Sequence, residues 1–362
     1  MKNNGSDILR QDRNSVRIFG LDAARGFMML LGVFVHSLIF VLFFGNGETK
    51  VTLTESHAIF GTFFTLHSFR MPAFFFLAGY FASLLIAKRG SMGFAHHRAK
   101  RLGLVFLIFG PVIVPITHAV VGEQSSLESL NESKLNHLWF LYYLIILTSL
   151  MFVLSLVPTL DQNQKLKSVI GNFISDPRIL WVLPLALFPW LKILDESGRL
   201  RTSESFIPDL PLLFFYGLFF ALGTFLFKAG DAGLEGLSRR SYFLLLIGLI
   251  SAQIGYGWGF NSYVSQVNIF CAFLASFYLA FGVIGVFLRQ IKHENKIWNY
   301  LTKTSYWVYL VHLPIVFVFL NAFGNLSIPI LVKVILTFIC TSGMSFLGYE
   351  IIVRRTLLAK LL

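Results

Sequence analysis

The sequence predicts an all-α fold: a polytopic transmembrane helical bundle of about ten spans with both termini in the cytoplasm. Three observations carry this. The chain has 362 residues, of which 56% are hydrophobic and 13% charged, whereas an ordinary soluble domain carries about 25% charged residues. Its apolar residues fall in runs of roughly 20, the length needed to cross a hydrocarbon core of about 30 Å. Its basic residues sit in alternate loops, as the positive-inside rule requires.

Taken in order, the expected helices cover 18–44, 69–87, 102–121, 137–157, 178–194, 209–228, 241–259, 266–288, 303–322 and 328–352. The segment through Arg17 is polar, and the apolar run after it lasts about 26 residues, too long for a signal-peptide core. It reads as a retained first helix. Residues 57–68 are apolar as well, and Pro72 suits the first turn of a helix, so 57–70 reads as an interfacial or broken helix on the non-cytoplasmic side. The N-terminus, the loops near 88–101, 158–178, 228–240 and 289–303 and the C-terminal tail hold 22 Lys and Arg. The alternate loops hold four: Lys50, Lys134, Arg199 and Arg201. This bias places both ends inside and divides the chain into a cytoplasmic tail 1–17, a transmembrane domain 18–353 and a tail 354–362. It also accounts for the net charge of +12 without a nucleic-acid partner. Cys271 and Cys340 both fall within spans and read as small buried residues, with no disulfide expected. No inverted pair of interrupted helices marks a secondary transporter.

Charges are costly inside a bilayer, so those within the spans are the first candidates for function. Leu21-Asp22-Ala23-Ala24-Arg25-Gly26 is followed, eleven residues after the arginine, by His36. Eleven residues make about three helical turns, so Arg25 and His36 share a face and lie about 16 Å apart along the axis. His36 reads either as a helix-packing histidine bonded to a backbone carbonyl or as an intramembrane general base, and Arg25 on the same face favours the second. Spacing alone leaves Arg25 open between a functional role and a snorkelling side chain paired with Asp22. His67 and Arg70 stand at i,i+3 and suit the binding of an acceptor or an anion at the outer face; interfacial anchoring explains them equally well. The cluster His96-His97-Arg98-Ala99-Lys100-Arg101 is either ordinary positive-inside topology or a docking site in which Arg98 and Arg101 clamp phosphates. His137 opens the fourth span and His312 lies about mid-span in the ninth, while His118 reads as a boundary residue. Glu350 precedes Arg354 by four residues, as in a helix-end ion pair. Phe74 to Gly79 reads as packing material, with Gly79 permitting close helix contact. No metal-ligand spacing, phosphate loop or nucleophile elbow is present in the sequence, and no metal or permanently bound cofactor is expected.

With these residues in hand the chain resembles the acyltransferase-3 family of integral membrane acyltransferases, over nearly its whole length. The family's arginine–ten residues–histidine signature matches Arg25 and His36. Its basic pair with two intervening residues matches Arg98 and Arg101, and its aromatic helix ending in glycine resembles Phe74 to Gly79. Its serine–tyrosine–tyrosine–histidine pattern resembles Ser305, Tyr306, Tyr309 and His312. His67 to Pro72 and His137 to Leu141 are similar to the branch that succinylates osmoregulated periplasmic glucans.

The resemblance implies an O-acyltransferase of the bacterial inner membrane. It would carry an acyl group, succinyl in this branch, from cytoplasmic acyl-CoA to hydroxyls of a periplasmic glucan. His36 and Arg25 would be catalytic, Arg98 and Arg101 would bind the donor, and His67, Arg70, His137 and His312 would bind substrate. No Cys or Ser stands out as a nucleophile, which favours direct transfer over an acyl-enzyme. The alternatives are an acetyltransferase acting on another envelope glycan, and a transporter or flippase whose His and Arg bind substrate without chemistry. Homo-oligomerisation is left open by the sequence.

Overall fold

The computed structural model describes residues 18–44, 52–121, 135–157, 184, 202–203, 205–257 and 266–362. The described residues are helical, with no strand among them. The elements are α1 (Phe19–Phe44), α2 (Leu53–Arg98), a π-helical stretch Ala99–Leu104, α3 (Val105–Val121), a 3-10 turn Asn136–Leu138, α4 (Trp139–Ser155), α5 (Leu210–Gly257), α6 (Gln266–Gln290), α7 (Lys296–Gly324), α8 (Ile330–Gly348), a second π-helical stretch Tyr349–Val353 and a 3-10 turn Leu357–Lys360. The span expected at 178–194 lies outside the described residues, apart from Pro184.

Among the described residues, seven helical stretches are long and apolar enough to cross a membrane. Two of them, of 68 and 47 residues, would run about 100 and 70 Å if straight, at 1.5 Å per residue, well beyond a hydrocarbon core of about 30 Å. Both are broken. Gly90 adopts φ 69°, ψ 173° within α2, and Gly230 adopts φ 63°, ψ −144° within α5. These are backbone conformations that a residue with a Cβ rarely takes.

The segment expected as an interfacial piece before Pro72 is instead the first part of α2. The reason is local. Thr52 and Glu55 form a capping box: the Glu55 amide donates to Thr52 Oγ1 at 3.2 Å, and the Thr52 amide donates to Glu55 Oε2 at 3.0 Å. These bonds satisfy the Thr52 and Glu55 amides at the helix N-terminus, so the helix starts at Leu53, and Pro72 falls inside it. His67 and Arg70 therefore stand on a continuous helix.

The bundle is organised around α1, which touches α2, α6, α7 and α8. The most extensive packing is that of α5 on α6, followed by α5 on α2. Helices in a bilayer associate through close packing rather than by expelling water, and two features supply it. Aromatic rings from α5 and α6 interlock, with Phe219 and Phe277 centroids 4.6 Å apart and Phe273 and Phe277 5.1 Å apart. Where α2 crosses α5, two glycines face each other's backbone. A Cβ on Gly79 would lie 1.8 Å from the Phe220 carbonyl oxygen, and one on Gly223 would lie 1.8 Å from that of Phe76. Gly79 thus permits the contact expected of it.

The last helix is apolar outward and polar inward. Leu331, Ile335, Ile339 and Leu347 are exposed, while Lys333, Thr337, Thr341 and Ser345 are buried. Lys333 Nζ donates to the Gly324 carbonyl at 2.9 Å, placing a cation at the carbonyl end of α7. At the other end of α8, Arg354 Nη1 donates to Glu350 Oε2 at 2.6 Å, the helix-end pair the spacing predicts.

Candidate active site

Two helices and one tight turn bring three scattered histidines together. His36 comes from α1, His312 from the middle of α7, and His137 from the 3-10 turn that leads into α4. The His36 and His312 ring centroids are 5.1 Å apart, and those of His137 and His312 are 5.0 Å apart. The turn that presents His137 depends on Asn136, whose φ of 44° lies in the left-handed region that asparagine tolerates better than most side chains. Tyr309 fixes the turn from the facing helix: its hydroxyl donates to the His137 carbonyl at 2.9 Å.

Backbone partners assign the tautomers. His312 Nδ1 lies 2.8 Å from the Tyr309 carbonyl and 3.1 Å from that of Val308. Carbonyls only accept, so this nitrogen carries the proton and Nε2 keeps the lone pair in the neutral ring. His137 Nε2 lies 3.1 Å from the Leu310 carbonyl, which leaves the lone pair on Nδ1. His312 Nε2, His137 Nδ1 and His36 Nδ1 are all enclosed and have no hydrogen-bond partner among the described residues. Enclosed polar atoms are normally paired, so three such nitrogens side by side are candidates for hydrogen bonds to a bound molecule. His312 and His137 are buried, whereas His36 is half-buried and open to approach.

Arg70 completes this cluster. Its guanidinium packs onto Gly32, where a Cβ would lie 2.5 Å from Nη1. Gly32 is one turn before His36 on α1. Arg70 is near enough to act electrostatically on His36, His137 and His312, and the Tyr216 and Tyr309 hydroxyls are within the same reach of it. Its Nε is enclosed without a hydrogen-bond partner, and no carboxylate pairs with it among the described residues. His67, one turn earlier on α2, also reaches the field of His36. So His36, His67, Arg70, His137 and His312, expected as separate candidates, form one group.

Arg25 does not join them. It pairs with Asp22 at 3.5 Å and lies over the Phe81 ring at 5.1 Å, about three turns from His36. Its neighbour is Arg98, which feels the charges of both Arg25 and Arg101. The shared helix face expected for Arg25 and His36 therefore links two sites. Arg98 ends α2 with its guanidinium 5.5 Å from the Phe94 ring centre and its Nε enclosed without a partner among the described residues. Arg101 lies in the π-helical stretch, a local widening frequent at functional sites, and its carbonyl accepts a hydrogen bond from the Tyr306 hydroxyl. A cavity of about 520 Å³ opens beside Arg98, lined by Phe94, Leu102, Leu107, Thr148 and Phe152. Three guanidiniums within one another's electrostatic reach, with Arg98 lining the cavity, can hold a polyanion.

Sequence reasoning gave no site role to Gly32, Asn136, Tyr216 or Tyr309. Tyr309 had a signal, standing three residues before His312 on one helix. Tyr216 had none, since it reaches Arg70 from a separate helix. His118 lies near the end of α3. Among the described residues no group of His, Cys, Asp and Glu could hold a metal ion.

The profile of the acyltransferase-3 family, described as an acyltransferase domain, matches residues 18–351. Among similar proteins is glucans biosynthesis protein C of Salmonella gallinarum (strain 287/91 / NCTC 13346), 24% identical over 94% of this chain and 93% of the relative. The protein of the same name from Salmonella paratyphi B (strain ATCC BAA-1250 / SPB7) is 23% identical over the same shares. No solved structure matches. The matched span runs from α1 into the π-helical stretch after α8 and takes in both groups of side chains, and the chain belongs to the acyltransferase-3 family, an integral membrane acyltransferase.

Proposed function

We propose that this protein moves a succinyl group from cytoplasmic succinyl-CoA to hydroxyls of a periplasmic glucan, in the bacterial inner membrane. The single observation that carries this reading is the Arg70 guanidinium, with no carboxylate partner among the described residues, beside three histidine nitrogens that likewise lack hydrogen-bond partners among them. A half-buried cation with its Nε enclosed and no counter-ion among the described residues is costly, and the free carboxylate of a succinyl group would supply one. The glucan acceptor rests on the names of the relatives.

The topology that serves this reading has ten spans and two cytoplasmic ends. Breaks at Gly90 and Gly230 divide the 68- and 47-residue stretches into two spans each, which with the other five stretches make nine, and the span expected from the sequence at 178–194 makes the tenth. Arg25, Arg98 and Arg101 then face the cytoplasm and receive the phosphates of coenzyme A. His36 lies about 16 Å further in than Arg25, and the acceptor comes from the opposite side.

A glucan hydroxyl is a weak nucleophile at neutral pH and needs a base that takes its proton as the new bond forms. His36 is that base, being the histidine of the three that is open to approach. The hydroxyl oxygen attacks the thioester carbonyl, the carbon–sulfur bond breaks, and the proton passes from His36 to the departing sulfur. The products are a glucan ester and free coenzyme A. His137 and His312, held in fixed tautomers by backbone carbonyls, offer lone pairs to further hydroxyls of the sugar. Enclosure limits loss of the thioester to water.

The test is mass spectrometry of periplasmic glucans from cells with and without the protein. Succinylated species should depend on it, and glucans identical in the two strains would exclude the reading. The donor site has its own test. Replacing Arg98 and Arg101 together with Gln should raise the KM for succinyl-CoA at least about tenfold, since a charged hydrogen bond contributes about 1.5–3 kcal/mol. An unchanged KM in a correctly inserted variant would return both residues to topology alone.

A further inference from the structure

We infer that Phe63 and His67 form a carbohydrate-binding step on α2, on which a pyranose ring of the acceptor stacks before its hydroxyl reaches His36. The two rings lie face to face, with centroids 5.2 Å apart and an angle of 11° between them. They belong to a stripe, Phe60, Phe63, His67 and Arg70, whose spacings of three and four residues keep it on one side of the helix. The neighbouring side of α2 is already occupied. Tyr256 of α5 donates its hydroxyl to the His57 carbonyl at 3.0 Å, and its ring would meet a Cβ on Gly61 at 3.1 Å.

The stripe faces the bundle interior rather than lipid. His67 is within electrostatic reach of His36, and Arg70 packs on Gly32. Yet Phe60, Phe63 and His67 are each only half-buried, so part of each side chain remains accessible. Phe63 lies about 10 Å along the helix from Arg70, on the side away from Arg25 and Arg98. A ligand moving along it passes an aromatic face, then an imidazole, then the cluster. A pyranose fits that order, since its faces are lined with C–H groups that pack on an aromatic ring and its edges carry hydroxyls that an imidazole can bond.

This inference rests on the proposed glucan acceptor, and direct binding separates the two. The full chain in lipid nanodiscs is titrated calorimetrically with purified periplasmic glucan, and turnover is measured with succinyl-CoA. Phe63→Ala should raise the Kd and KM for glucan about tenfold or more, while the KM for succinyl-CoA stays within about twofold. Phe63→Trp should keep wild-type affinity. Phe63→Leu, which keeps an apolar side chain but removes the flat face, should lose affinity as Phe63→Ala does, and serves if the alanine variant does not fold. Glucan affinity unchanged in both Phe63→Ala and Phe63→Leu, or restored by Leu as well as by Trp, would overturn the stacking step and leave the acyltransfer reading standing. Binding lost on substitution in a protein that shows no succinyl transfer would support the step and remove the reaction. A wild type that neither binds nor acylates glucan would end both.

Discussion

His36→Ala should abolish acyl transfer while the protein remains folded and inserted. A positioned general base contributes about 10²–10⁴-fold, and a methyl group cannot take the hydroxyl proton. Little else should change. His36 Nδ1 has no hydrogen-bond partner among the described residues, so truncation leaves no such partner unpaired there. Its loss removes the ring contact with His312, which is itself held by two backbone carbonyls. The measurement is turnover of the purified variant in nanodiscs, with thermal unfolding as the folding control. Retention of a tenth of wild-type turnover would remove His36 from the role of base, and would turn attention to the lone pair of His312.

The sequence made the class of fold legible because its signal is repeated many times over, in apolar runs and in alternating basic loops. It misled where a local rule competed with a stronger one. Pro72 is a good first-turn residue, but the capping box at Thr52 and Glu55 starts the helix 19 residues earlier, and a membrane bundle tolerates proline inside a helix. The breaks inside α2 and α5 depend on single glycines, Gly90 and Gly230, which look in sequence like many others. Within the site, each histidine could be picked out as an unusual residue in an apolar span. That His36, His137 and His312 meet could not be read from spacing, because they come from three separate segments more than 100 residues apart. Arg25 shows the reverse case. Its helical register with His36 is real, but the partners that decide its role, Asp22 and Arg98, place it at the other end of the same face. Gly32 was invisible, because its significance is the guanidinium of Arg70 that fills the space a side chain would take.

Arg70→Leu should depress succinyl transfer selectively. Succinyl differs from acetyl by a terminal carboxylate, which is costly to enclose without a cation. Arg70 offers a guanidinium with no carboxylate partner among the described residues, within the field of all three clustered histidines. Loss of a charged hydrogen bond of about 1.5–3 kcal/mol should narrow the preference for succinyl over acetyl roughly tenfold or more. Leucine removes an uncompensated charge, so folding should not suffer. Arg70→Lys keeps the charge but not the planar fork, and should retain part of the preference. The central claim is that acyl donor and glucan hydroxyl meet at the Arg70–histidine cluster, and a competition assay tests it most directly. Purified wild type, Arg70→Leu and Arg70→Lys receive equal concentrations of succinyl-CoA and acetyl-CoA with periplasmic glucan, and the esters formed are counted by mass spectrometry. The account predicts a succinyl preference in the wild type that falls in the order wild type, Arg70→Lys, Arg70→Leu. Equal loss of both activities in Arg70→Leu, or a wild type that prefers acetyl-CoA, would contradict it.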